Sequence, residues 1–205
     1  MIKNIVFDMG GVLINFDAQR YTARFVPDPA DYELIRRELF RSVEWIRMDR
    51  GSITDEEAVA GVCRRLPQRL HQAVRDILDN WHRDIPPLDG VYALVEELKG
   101  KGYGIYLLSN TCSRFHSFRE NIPALRFFDG EFISADCHLV KPEPGIYLRF
   151  LEQFRLRPEE CVFIDDVPLN IEAAIRCGFS GVVYHNDPAR LRRELRELGV
   201  DADNL

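Results

Sequence analysis

Asp8, Ser109, Lys141 and the pair Asp165-Asp166 are the residues of this sequence whose types and placement suit one another chemically. Asp8 closes the apolar run Ile5-Val6-Phe7. Ser109-Asn110 close Ile105-Tyr106-Leu107-Leu108, and Asp165-Asp166 close Val162-Phe163-Ile164. Lys141-Pro142 stands between the last two runs. An acid, a hydroxyl, a cation and an acid pair are what a phosphoryl group calls for. A carboxylate can act as nucleophile, donors and a cation can hold the oxygens, and further carboxylates can bind a hard metal ion.

Residues so far apart meet only if the fold gathers them. Short apolar runs ending in polar residues read as buried strands, and in an open parallel sheet the strand ends line one crevice where ligands bind. Strands are expected at Lys3–Phe7, Gly104–Leu108, Phe132–Ser134, Cys161–Ile164 and Gly181–Tyr184. Between them, helical periodicity recurs at Val91, Leu94, Val95 and Leu98, at Ile146 to Phe154, and at Ile171, Ala174 and Ile175 after Pro168. A final helix carries Leu191, Leu195 and Leu198, and a short one is expected at Ser113–Glu120. Strands alternating with helices imply parallel βαβ units, a Rossmann-like α/β sheet covered on both faces.

The stretch 17–84 breaks this alternation and reads as helical throughout. Asp31 is placed to cap a helix carrying Leu34, Ile35, Leu39 and Val43. Thr54 and Glu57 form a capping box, and Leu70, Val74, Ile77, Leu78 and Trp81 make a further stripe. Pro86-Pro87 closes the block as a hinge. The chain therefore divides into a core of 1–16 and 85–205 and a helical insertion of 17–84.

Composition agrees with a soluble globular protein: 205 residues, 46% hydrophobic and 29% charged. A net charge of −6 argues against nucleic acid or an anionic membrane as main partner. Five scattered cysteines without CxxC spacing argue against zinc or a disulfide framework, and they suit a reducing cytoplasm. The expected partner is a small phosphorylated molecule, and the protein itself a monomer or homodimer.

In their order and surroundings the motifs resemble the haloacid dehalogenase superfamily of hydrolases. Phe7-Asp8-Met9-Gly10-Gly11-Val12-Leu13 resembles its first motif, and Leu107-Leu108-Ser109-Asn110-Thr111 its second. Lys141-Pro142-Glu143-Pro144 resembles the third, and Phe163-Ile164-Asp165-Asp166 with Asn170 the fourth. The insertion resembles that family's cap. The match is nearest to the branch holding α-D-glucose-1-phosphate phosphatase and the N-terminal domain of soluble epoxide hydrolase.

The resemblance implies a Mg²⁺-dependent phosphatase with Asp8 as nucleophile and Lys141 as its catalytic cation. Ser109, Asn110 and Lys141 would bind phosphate. Asp8, Asp166 and the Gly10 carbonyl would hold the metal, with Asp165 either direct or water-mediated. Asn170 would orient a ligand or Lys141. In the cap segment Trp45 to Gly51, Trp45 would stack on a sugar or serve as core, and Arg47 or Arg50 would reach substrate or remain solvated. His116 follows the second motif closely enough to be watched.

One departure matters. Most phosphatases of the superfamily carry an acid–base Asp two residues after the nucleophile, and here that position is Gly10. Gly10 leaves three outcomes open: a substrate with a good leaving group, a substitute acid to be sought at Asp17, Asn15 or the cap, or weak activity. Two alternatives stand beside the phosphatase: a 2-haloacid dehalogenase-type hydrolase, which needs no metal and which the Asp165–Asp166 pair opposes, and a catalytically weak phosphate-binding or regulatory protein, supported by Gly10.

Overall fold

The structure, a computed structural model, describes residues 1–83, 85–88 and 90–202. Five parallel strands form one sheet: β1 (Asn4–Phe7), β2 (Gly104–Ser109), β3 (Gly130–Ile133), β4 (Cys161–Asp165) and β5 (Ser180–Val183), in the spatial order β3-β2-β1-β4-β5. These are the five expected strands, with ends moved by a residue or two.

Each strand is apolar without alternation because the sheet is covered on both faces. The two-residue period still sorts the side chains. Ile5, Phe7, Ile105, Leu107, Val162 and Ile164 enter one apolar cluster. Val6, Leu108 and Phe163 enter the other. Full burial of each such side chain is worth roughly 1.5–3 kcal/mol.

The first cluster continues into the helices that follow β1: α1 (Ala18–Ala23), α2 (Pro29–Ile35), α3 (Val43–Asp49), α4 (Asp55–Cys63) and α5 (His71–Asn80). It also takes in α6 (Val91–Gly100). Short α7 (Phe115–Phe118) and α8 (Ser134–Cys137) follow β2 and β3. The opposite face is covered by α9 (Pro144–Phe154) and α10 (Pro168–Arg176). The last helix, α11 (Pro188–Glu197), returns Leu191 and Leu195 to the first cluster.

The capping box at Thr54 and Glu57 is present in full. Other details differ from the sequence expectation. Asp28, not Asp31, caps α2, because Pro29 supplies a ready-made first helical position behind it. That helix passes into a π-helical turn at Arg36–Phe40 and stops, so Val43 starts α3 and is 51% exposed. The helix expected at Ser113–Glu120 shrinks to α7 and a 3₁₀ turn, Arg119–Asn121. Ile175 and Leu198 lie outside the core, at 52% and 37% exposure.

The segments leading into and out of the helical block run side by side. Leu88 N–H donates to Leu13 O at 3.0 Å and Asn15 N–H to Pro86 O at 2.9 Å, around an antiparallel bridge between Ile14 and Pro87. Asp84, at the expected boundary, and 203–205, expected in the core, lie outside the described residues. No described helix is long and apolar enough to cross a membrane.

Candidate active site

Sheet register builds the floor of the site. Phe7 pairs with Leu107 on one side and with Ile164 on the other. Asp8 extends this ladder, its N–H donating to Ile164 O at 2.9 Å. Asp8 and Asp165, 157 positions apart, are therefore level on neighbouring strands.

Between them lies Lys141, 4% exposed. Its Nζ is 2.6 Å from Asp165 Oδ2 and 2.8 Å from Asp8 Oδ1. The contact to Asp165 is an aligned hydrogen bond. The contact to Asp8 is an ion pair without that alignment, so Asp8 Oδ1 lacks a hydrogen-bond donor among the described residues. The ammonium also sits 5.1 Å from the centre of the Phe163 ring.

Asn110 sets Lys141 in place. Its side-chain amide accepts from Lys141 N–H at 2.8 Å and donates to Lys141 O at 3.0 Å. The second and third motifs are joined by this amide pair.

The two adjacent acids have different duties. Asp165, last residue of β4, is fully buried. It accepts from Lys141, from Val167 N–H at 2.8 Å and from both approaches of Asn170 Nδ2 at 3.0 and 3.1 Å. Its lone pairs are spent on holding Lys141 and the start of α10. Asn170 thus reaches Lys141 through Asp165. Asp166, one residue beyond the strand, lines the cavity instead. Gly11 makes room for it: φ is +72°, and a Cβ there would collide with the Asp166 carboxylate.

Charge balance bears on the metal. Oxygens of Asp8, Asp165 and Asp166 lie within 4.8 Å of one another. Two ligand oxygens on one Mg²⁺ are separated by at most about 4 Å, so the cluster is close to the size that ion requires. Three carboxylates against one ammonium leave an excess of negative charge, which an incoming phosphate would aggravate. Burial pushes the Asp8 carboxyl up, opposed by Lys141 and reinforced by Asp165. Burial acts to lower the Lys141 pKa, but the two carboxylates raise it on balance. Burial, then the Asp165 charge, also raises Asp166. A hard divalent cation relieves all three acids. The donors fit one, with Asp8 and Asp166 free to ligate and Asp165 already engaged.

Above this floor is a cavity of about 220 Å³. Asp8, Gly10, Asn110, Thr111 and Asp166 face it from the sheet side. Trp45, Asp49 and Trp81 face it from the helical block, and Phe16 from the segment that leads into it. Trp45 has a place in the aromatic packing and at the cavity wall. It lines the cavity and packs within an aromatic group, 4.9 Å from Phe40, 5.8 Å from Phe16 and 6.0 Å from Trp81 between ring centres.

The other expected residues lie elsewhere or do not line the cavity. Arg50 turns away from the cavity: its guanidinium pairs with both carboxylate oxygens of Glu143 and donates to His138 O at 3.3 Å. Arg47 is exposed and does not line the cavity. Ser109, the last residue of β2, is 1% exposed and, like Lys141, is not itself a lining residue of the cavity. Asp17 caps α1, accepting from Gln19 N–H at 2.8 Å and Arg20 N–H at 3.2 Å, and Asn15 is exposed. His116 makes a surface pair with Asp136 at 3.1 Å.

Asp49 is the lining residue that the sequence reading passed over. The signal was there: it follows Trp45 by four positions, one turn along the same helix face. Arg47, two positions on, points elsewhere.

The family model of haloacid dehalogenase-like hydrolases matches residues 2–178. Sesquiterpene phosphatase astK of Aspergillus oryzae is 28% identical over 200 residues, covering 96% of each chain. D-ribitol-5-phosphate phosphatase of Bacteroides thetaiotaomicron is 28% identical over 95% of this chain and 97% of its own. Among solved structures, the HAD family enzyme BT-2542 from Bacteroides thetaiotaomicron, in complex with magnesium and inorganic phosphate, superposes with a TM-score of 0.72. It is 25% identical and covers 93% of this chain and 99% of its own.

Proposed function

This chain belongs to the haloacid dehalogenase-like hydrolases, and from that premise we propose that it is a Mg²⁺-dependent phosphatase acting through an aspartyl-phosphate on Asp8. The observation that carries the reading is the buried Asp8, held 2.8 Å from Lys141 in a cluster with surplus negative charge. A nucleophile so placed, under a cavity, suits an electrophile that arrives with compensating cations.

Asp8 attacks phosphorus, a new P–O bond forms, and the ester P–O bond breaks. Water then attacks the aspartyl-phosphate, the bond to Asp8 breaks, and inorganic phosphate leaves. Two easier displacements replace one difficult one. Lys141 keeps a fixed positive charge beside the oxygen of Asp8 and the equatorial phosphoryl oxygens. Asp165 and Asn170 hold Lys141, and Asn110 holds its backbone. Asp8, Asp166 and the Gly10 carbonyl are the groups that would bind Mg²⁺. When bound, the ion supplies charge neutralisation at the phosphoryl oxygens.

The cavity supports a small substrate. Its volume of about 220 Å³ is below the roughly 300–1,000 Å³ of sites for drug-sized ligands. Phe16, Trp45 and Trp81 offer flat apolar faces beside the carboxylates. A sugar phosphate, with one apolar ring face and a charged end, is the class to test first. Both relatives named above are phosphatases by name, one of a sesquiterpene and one of D-ribitol 5-phosphate. The cytoplasm and a monomer or homodimer remain the expected setting.

The test is phosphate release from a panel of phosphorylated metabolites, with Mg²⁺ and after EDTA. Turnover of one or more sugar phosphates that needs Mg²⁺ and Asp8 is the expected result. Metal-independent halide release from a 2-haloacid, without phosphate release from any ester, would overturn it.

A further inference from the structure

The phosphatase reading leaves a proton unaccounted for. An ester oxygen departing from phosphorus needs one, the water that follows must lose one, and Gly10 has no side chain to exchange either. We propose that Asp49, on helix α3 of the inserted block, is the general acid and base of this site; the proposal rests on the phosphatase reading above.

The first argument is direction. In phosphoryl transfer the attacking and leaving oxygens lie roughly in line through phosphorus. Asp8 attacks from the floor, so the leaving oxygen points to the roof. Asp49 is the carboxylate that lines the cavity from that side. The other two lining carboxylates, Asp8 and Asp166, belong to the strand ends below.

The second argument is that the other candidates are engaged. Lys141 and Asp165 hold each other. The Asp17 carboxylate accepts the first N–H groups of α1. The Asp49 carboxylate has no hydrogen-bond donor among the described residues, while the backbone around it is pinned. Ser134 Oγ donates to Asp49 O, and His138 Nδ1 lies 3.0 Å from Arg50 O. Gly51 follows with φ +68°, packed so closely on Ala135 that a Cβ would stand 2.5 Å from the carbonyl oxygen. Backbone docking on α8 thus fixes where the side chain starts and leaves its carboxyl facing the cavity.

The environment suits the task. Charges facing Asp49 come from Asp8 at the end of β1, Lys141 in the loop before α9 and Asp166 after β4, and Cys112 is the titratable neighbour after β2. Burial and the Asp8 charge, against the pull of Lys141, push the Asp49 carboxyl up to about 7. An upward shift favours the protonated form from which an acid must start.

The protons then balance. Protonated Asp49 gives its proton to the ester oxygen as that P–O bond breaks and the bond to Asp8 forms, releasing an alcohol. The resulting Asp49 carboxylate takes a proton from the water that attacks the aspartyl-phosphate. Phosphate leaves, Asp8 is free again, and Asp49 is reprotonated.

The experiment compares kcat/KM for p-nitrophenyl phosphate and phenyl phosphate in wild type, Asp49→Asn and Asp8→Asn, with Mg²⁺, across pH. The two esters have similar shape, but phenol is the poorer leaving group and needs the acid more. Asp49→Asn should lose about a hundred- to ten-thousand-fold on phenyl phosphate and far less on p-nitrophenyl phosphate. The alkaline limb of the wild-type pH profile should vanish with it. Equal losses on both esters, or none on either, would overturn the assignment while leaving the phosphatase reading intact. A wild type that cleaves neither ester, or cleaves them without need of Asp8, would bring down that reading and this proposal together.

Discussion

Asp8 and Asp49 face the same cavity from opposite sides, and they are held in different ways. Asp8 is part of a hydrogen-bonded parallel sheet, with Lys141, Asp165, Asn170 and Asn110 locked around it in a chain of charge-assisted contacts. Asp49 rides on a seven-residue helix that touches the core through Ser134, Ala135, His138 and Glu143. The floor is an interlocked network, costly to disturb, in which Asp8 Oδ1 is the oxygen left without a donor among the described residues. The roof is a docked surface whose reactive carboxylate is left without a partner. The difference suggests a division of labour in which the sheet fixes the bond being made and the insertion deals with the group that leaves.

The largest effect that tests this contrast is Asp8→Asn. Turnover should fall by about 10⁴-fold or more, as when a covalent nucleophile is removed elsewhere, with the circular dichroism spectrum unchanged. Retention of most activity would dissolve the distinction between floor and roof. Next is Lys141→Met, which strands two carboxylates in a buried site. It should cost about 3–5 kcal/mol in urea denaturation, in addition to activity.

Asp49→Asn should move stability the other way. The Asp49 carboxyl titrates near 7 in the fold and near 3.8 in the unfolded chain, so the fold disfavours its charged form. That penalty is full above pH 7 and vanishes below 3.8. In EDTA at pH 8 the variant should be more stable than wild type, by of order 1–4 kcal/mol. The gain should fade as pH drops to 4. A loss of stability at pH 8 would mean that the Asp49 carboxylate has partners that stabilise its charged form.

The smallest effect belongs to Arg50→Ala. Its pair with Glu143 is a third exposed on each side, so its loss should cost less than about 1 kcal/mol in thermal or urea unfolding. A few-fold drop in kcat/KM should accompany it as α3 loosens over the cavity.

The same contrast explains what could be read from the sequence. Asp8, Ser109 and Asp165 each end a run too apolar to be anything but a buried strand, and parallel register then brings distant residues level. Even so, the sequence could not say which of Asp165 and Asp166 turns inward, because adjacent acids at a strand end differ only in the face they take. For the roof there was no comparable rule. Arg47 and Arg50 offered more obvious chemistry than Asp49. The side of α3 that meets the cavity depends on how the helical block packs on the sheet, through Phe16, Trp45 and Trp81, and no local pattern states that. Asp28 was passed over as a cap for a more local reason: Pro29 behind it moved the start of α2.

The bridge between Ile14 and Pro87 has a consequence for descent and design. Because the outgoing and returning segments are hydrogen-bonded to each other, the core contributes one closed doorway, and whatever lies beyond it imposes no new distance on the sheet. Loop length there carries only a slow logarithmic entropy term. An exchange of everything past the doorway would present Asp8 with a different ceiling, provided the new segment also covers the apolar surface that α1 to α5 now share with the sheet. A lineage built this way can change the molecules it accepts by trading one cassette, without re-solving the problem of how to make an aspartate attack.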